Sequence, residues 1–288
     1  MDTDVHAPVM RYHGAKWRLA PWIVSFFPNH DTYLEPYGGS AGVLLRKPRS
    51  RAEIYNDLDG EVVNLFRVLR DPGQASRLAE LCALTPYARA EFEVCLETGG
   101  AELDALERAR RTVFRAQAGY GSAGATKGRT GFRAYTGSGR SQTTAGDWAN
   151  FPGRIQALAK RLQGVLIERR PALDLITEQR NPGTLIYADP PYLHETRVID
   201  GGSYYRHEMS EPEHVALLAR LRKTRSAVVL SGYRSELYDD LLLPYGWERH
   251  ETQAHANGRR GTVPRTECLW LNPVCIAARD GDQGRLFA

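Results

Sequence analysis

Three short apolar runs in this sequence each end on a polar side chain, and that pattern restricts the fold more than any other feature. Ile54-Tyr55-Asn56-Asp57 and Leu185-Ile186-Tyr187-Ala188-Asp189 close on carboxylates, and Ala227-Val228-Val229-Leu230-Ser231 closes on a hydroxyl. Runs this short and this apolar read as parallel strands buried on both faces. Thr32-Tyr33-Leu34-Glu35 repeats the pattern more weakly. Helical stretches lie between them. Ser210 and Glu213 form a capping box ahead of Val215, Leu217, Leu218 and Leu221, and residues 59 to 70 and 154 to 163 show the same helical period. Strands alternating with helices predict an α/β fold with a mostly parallel sheet. In such sheets ligands bind outside the carboxyl ends of the strands.

Two regions break the alternation. Residues 71 to about 105 read as helical, and residues 119 to 153 are rich in Gly, Ser and Thr, with Tyr120, Phe132, Tyr135 and Trp148 among them. A long structureless loop is unusual in a compact domain, so 71–153 reads as an inserted, partly helical module with a mobile basic loop or hairpin. The two flanking stretches, 1–70 and 154–288, then form one domain. Near the end, Asn257-Gly258 lies between the strand-like stretches 247–255 and 266–271, a hairpin signature with a loop widened by Arg259 to Pro264.

Charge singles out the insert. Residues 108 to 154 hold eight Arg and one Lys against a single acid, Asp147, in a chain of net charge +4. Such a patch suits a polyanion, because phosphate contacts supply most non-specific affinity for nucleic acid. The four cysteines (Cys82, Cys95, Cys268, Cys275) form no C-x-x-C pair and lack histidines at zinc spacing, so reduced thiols are expected and neither disulfide nor metal. No apolar run reaches the roughly 20 residues of a membrane helix. The acidic start, Met1-Asp2-Thr3-Asp4, has no apolar stretch behind it, so a soluble cytoplasmic protein is expected.

Asp189-Pro190-Pro191-Tyr192 carries the chemistry. An amino group on a nucleic-acid base is a poor nucleophile, since its lone pair is delocalised into the ring. A carboxylate and a backbone carbonyl at a strand end can each accept one of its N–H groups as positive charge develops. Asp189 and the Pro190 carbonyl fit those roles, Pro190 and Pro191 stiffen the loop, and Tyr192 offers a face on which a flipped base stacks. Taken alone, the tetrapeptide also reads, with less weight, as a rigid turn after a strand. Two companions stand upstream. Glu35-Pro36-Tyr37-Gly38-Gly39-Ser40-Ala41-Gly42 follows a strand and precedes a helix-like Val43-Leu44-Leu45, and Asp57 ends the next strand where an acid would take a ribose hydroxyl. Lys16, in Arg11-Tyr12-His13-Gly14-Ala15-Lys16, reads by itself as an ordinary surface lysine.

The ordered set Tyr12-His13-Gly14-Ala15-Lys16, Glu35-Pro36-Tyr37-Gly38-Gly39, Asn56-Asp57 and Asp189-Pro190-Pro191-Tyr192 resembles the Dam-type, alpha-group N6-adenine DNA methyltransferases. The resemblance runs from about Arg11 to Pro273. Arg265-Thr266-Glu267-Cys268-Leu269-Trp270-Leu271-Asn272-Pro273 is similar to that family's last strand, and Tyr204 to Met209 to its phage- and prophage-borne members. It implies a Rossmann-like methyltransferase sheet with a C-terminal β-hairpin, interrupted at 71–153 by a mainly helical target-recognition module. It also implies S-adenosylmethionine as cofactor, S-adenosylhomocysteine as product and double-stranded DNA as partner, with no obligatory protein partner. Tyr12, Lys16, Glu35, Pro36, Gly38, Gly39 and Asp57 would hold the cofactor, and Asp189 would touch both cofactor and amine. Arg115, Tyr120, Lys127, Arg129 and Arg133 are the candidates for DNA contacts. The chain departs from the family pattern with His13 and with Ala41-Gly42 in place of Gly-Ala. N4-cytosine methylation, by the same geometry on another amine, and an inactive DNA-binding relative are the alternatives.

Overall fold

The computed structural model describes residues 4–97, 103–122, 124–125, 130–136, 143–179, 181–196, 205–258 and 261–286. Seven strands form one sheet: β1 (Thr32–Glu35), β2 (Ala52–Asn56), β3 (Val165–Glu168), β4 (Thr184–Ala188), β5 (Ala227–Tyr233), β6 (Glu248–Gly258) and β7 (Gly261–Leu271). Their order is β3-β2-β1-β4-β5-β7-β6. The first five run parallel, and β7 joins antiparallel between β5 and β6. The chain fills one half of the sheet outward from β1 and the other from β4, so the topological switch lies between these two. That is where an open α/β sheet opens a crevice at its carboxyl edge.

Helices cover both faces. On one face lie α2 (Gly60–Arg70), α3 (Pro72–Leu84), α4 (Arg89–Leu96), α5 (Ala105–Ala118) and α7 (Ile155–Leu162), with the short α1 (Ala20–Val24) and α6 (Thr144–Ala149). The other face carries α8 (Ala172–Glu178), α9 (Glu211–Leu221) and α10 (Glu236–Leu242). A last helix, α11 (Pro273–Leu286), sets Cys275 into the first core. The expected strands and the Ser210–Glu213 capping box are all present. No helix among the described residues is long and apolar enough to cross a membrane.

The structure corrects three expectations. Ladder pairing in the hairpin continues to Gly258↔Gly261, so residues 261 to 264 are strand, with Pro264 opposite His255, and do not widen a loop. Val43-Leu44-Leu45 does not start a helix; residues 42–46 form turns, closed by Leu45 N–H to Ala41 O at 3.0 Å. The arginine-rich window 108–154 begins inside a helix, α5, which the expected helical stretch to about 105 did not include. Its Val113 and Phe114 are buried, and Phe114 packs edge-on against Trp148, whose indole N–H reaches Thr85 O at 2.8 Å. These side chains join the same apolar cluster as Tyr33 and Tyr55 of the sheet.

Helix α5 also explains the local charge. Arg108 pairs with Glu61, Arg110 with Glu91 and Glu107, Arg111 with Glu107, and Arg133 with Asp147. Three of the four acids that pair with these arginines, Glu61, Glu91 and Glu107, lie outside the window 108–154, so its one-sided count overstates the free positive charge.

Candidate active site

Glu35, Asp57 and Asp189 stand at the carboxyl ends of β1, β2 and β4, and all three open on one cleft of about 930 Å³ measured to its mouth. Tyr12, Lys16, Pro36, Gly38, Gly39 and Pro191 line it too. The parallel register makes this convergence inevitable: once the strands pair, their terminal residues share an edge.

Close packing explains the glycine loop. A Cβ at Gly38 would lie 2.1 Å from the Tyr55 ring, and one at Gly39, whose φ is +48°, would lie 2.8 Å from Tyr12. Tyr55 Oη donates to Gly39 O at 2.7 Å, and Asp57 Oδ2 accepts from Gly39 N at 2.8 Å. Asn56 ties the turn to the next connection, donating to Pro36 O (2.8 Å) and Arg170 O (3.0 Å). Ala41 also adopts a left-handed φ of 53°, where a glycine would be unstrained. Burial raises the Asp57 carboxyl to about 6. Glu35 is pushed up to about 8, again by burial, against the hydrogen bonds its Oε2 receives from Tyr33 Oη (2.8 Å) and Leu44 N (3.0 Å).

Lys16 is no surface lysine. Its ammonium lies 3.0 Å from Asp189 Oδ2 and 3.3 Å from Glu267 Oε1, donates to Gly14 O at 2.8 Å, and sits 4.7 Å from the centre of the Tyr192 ring. Burial disfavours its charge, yet Asp189 and Glu267 outweigh that and hold it well above the ordinary lysine value. Tyr192 donates to Glu267 Oε1 at 2.6 Å and lies 3.2 Å from Ser231 Oγ. Pro190 is buried beneath the loop. Asp189 Oδ1, also buried, has no hydrogen-bond partner among the described residues.

The DNA candidates fare unevenly. Tyr120 is 70 % exposed. Arg115 is half-buried and donates to Cys95 O and Thr112 Oγ1, and Arg133 is buried in its pair with Asp147, so neither is an open cation. Lys127 and Arg129 lie outside the described residues. So does Tyr204, but Tyr205 to Met209 border the cleft: Tyr205 packs edge-on to His13, and Arg206 reaches Asp59, the N-cap of α2, at 3.4 Å. The sequence reading missed Glu267 and Ser231 as site residues. Only their places on neighbouring strands could have signalled them.

Switch-point crevice, strand-end carboxylates and antiparallel β7 together define a Rossmann-like α/β protein of methyltransferase architecture. The D12 class N6 adenine-specific DNA methyltransferase model matches residues 12–256, and the chain belongs to that family. No curated protein matches the chain. Among solved structures it is similar to a precorrin 8W decarboxylase of Methanobacterium thermoautotrophicum, at 10 % identity over 88 % of this chain and 89 % of the other, with a TM-score of 0.36.

Proposed function

We propose that the protein transfers a methyl group from S-adenosylmethionine to N6 of an adenine flipped out of duplex DNA. The lining of the cleft suits that donor. Its lining acids, Glu35, Asp57, Asp59, Asp189, Glu208 and Glu213, outnumber Lys16 and Arg206 even with Glu35 protonated, which suits a sulfonium. Asp57, held by two backbone N–H groups, presents an acceptor to a ribose diol, and the turn at Gly38-Gly39 brings main chain close to the methionine part. When bound, S-adenosylmethionine supplies an electrophilic methyl group.

The residues of the chain do the rest. One oxygen of Asp189 is held by Lys16, and the other, buried and without a hydrogen-bond partner among the described residues, accepts an N–H of the amine as nitrogen loses conjugation with the ring. That unpartnered oxygen is the observation that carries the proposal. Tyr192, packed edge-on to Tyr233 at 4.7 Å, gives the base a fixed face.

Residues 71–153 are then the target-recognition element, with exposed Tyr120 at its surface. A second groove, of about 1010 Å³, runs beside Tyr192 between Tyr233, Arg234, Ser235 and Arg265. Arg234 and Arg265 have no carboxylate within ion-pair distance among the described residues, so they receive the strand that carries the flipped base. Glu195 and Glu236 on the same groove keep its net charge low. Expression in cells without endogenous DNA methylation, followed by sequencing for modified bases, tests the reading. N6-methyladenine at one recurrent site supports it; N4-methylcytosine, or an unmodified genome, refutes it.

A further inference from the structure

Glu267 has no role assigned from the sequence, yet it joins Lys16 and Tyr192, two groups on which the proposed chemistry depends. It lies on β7 between Tyr233 of β5 and Thr252 of β6, 3 % exposed. Its Oε1 receives the Tyr192 hydroxyl at 2.6 Å and the Lys16 ammonium at 3.3 Å.

An ammonium has three N–H donors, and Lys16 meets three oxygens: Asp189 Oδ2, Glu267 Oε1 and Gly14 O. Every donor therefore has an acceptor. Asp189 keeps one oxygen tied and the other without a hydrogen-bond partner among the described residues. If the Glu267 charge is removed, the third donor turns to the nearest remaining anion, which is Asp189. The ammonium then competes for the oxygen that the amine needs. Tyr192 donates to the same atom, so its hydrogen bond weakens when the charge is lost.

We propose that Glu267 is a positioning residue of the reaction centre: by sharing Oε1 between Tyr192 and Lys16, it keeps the aromatic face fixed and the second oxygen of Asp189 open to the target amine. This role rests on the reading of Asp189 as amine acceptor. It predicts an effect on the chemical step and not on cofactor binding, because Glu267 does not line the cofactor cleft.

The test is single-turnover methyl transfer to duplex DNA by the full chain, with S-adenosylmethionine affinity measured by calorimetry beside it. E267Q keeps the shape and an acceptor for Tyr192 but loses the charge. Its rate should fall about ten- to a hundredfold, the scale of one hydrogen bond to a charged group, with cofactor affinity changed less than threefold. Tyr192→Phe should lower the rate as well, and the double variant should fall less than the product of the two single effects, since both act through one oxygen. A wild-type rate in E267Q, or two effects that multiply in full, overturns the proposal. Should E267Q not fold, Tyr192→Phe decides it: an unchanged rate refutes the shared-oxygen role. An inactive wild-type protein would instead refute the methyl-transfer reading, which separates the two failures.

Discussion

Gly38→Ala is the sharpest perturbation the fold offers. The added Cβ would lie 2.1, 2.6 and 2.7 Å from three atoms of the Tyr55 ring, well inside contact distance. Tyr55 has nowhere to go. It is fully buried, stacks on Phe66 at 4.3 Å and donates to Gly39 O at 2.7 Å. Either the ring shifts and breaks that hydrogen bond, or the 36–39 turn lifts away from it. Overpacking of a filled core costs about 1–3 kcal/mol, and the lost hydrogen bond about 1 kcal/mol more. Denaturant unfolding should therefore show a loss of about 2–4 kcal/mol. Cofactor affinity should fall at least tenfold, because the same turn lines the cleft. Trimming the obstacle should restore part of it: with Tyr55→Leu also present, Gly38→Ala should cost at least about 1 kcal/mol less than it does alone. If Gly38→Ala unfolds within about 0.5 kcal/mol of wild type and binds cofactor normally, the account of the turn is wrong.

Other parts of the molecule give further predictions. Glu53 is the buried anion between Lys47 (2.7 Å) and Arg161 (2.6 Å), so Glu53→Gln should cost about 3–5 kcal/mol by denaturant unfolding; a neutral effect would show the triad to be dispensable. Cofactor affinity should drop as pH falls through about 6, where Asp57 takes a proton, and calorimetry on Asp57→Asn should find weak binding with no such dependence. Glu35, raised from 4.5 to about 8, acts oppositely on the stability of the free protein. The folded state takes up this proton before the unfolded one, so the ionised group costs stability above about pH 8, and the cost lifts as pH falls toward 4.5. Glu35→Gln should flatten unfolding free energy across that window; an unaltered slope would contradict the assignment. Arg265→Ala should lower the salt slope of DNA binding by about one without changing cofactor affinity, and an unmoved slope would remove the second groove from the DNA path.

The strands that position the site were legible because each is a buried apolar run stopped by a polar group: Asp57, Asp189 and Ser231 mark the ends of β2, β4 and β5 or lie close to them. β3 escaped notice because Val165–Glu168 is four residues long, and its sheet partner, β2, stands far away in sequence. α5 was hidden by its arginines. Their heads pair with Glu61 of α2, Glu91 of α4 and Glu107 of α5 itself, an arrangement no charge count reveals. Asp189, Asp57 and the glycines stood out because their chemistry is tied to a strand end or a tight turn. Lys16 and Glu267 did not, since their roles depend on each other across 251 residues of chain. Asn257-Gly258 suggested a turn at nearly the right place, but the ladder runs past it, and pairing across the strands decided the loop length.

One measurement bears most directly on Asp189 as the acceptor of the adenine amine: incubation of purified protein with unmethylated duplex DNA and S-adenosylmethionine, followed by nucleoside analysis, for wild type and Asp189→Ala. The account predicts N6-methyladenine from the wild type, none from Asp189→Ala, and comparable duplex affinity for both. Methylated adenine from Asp189→Ala at the wild-type rate, or methylation of cytosine alone by the wild type, would contradict it.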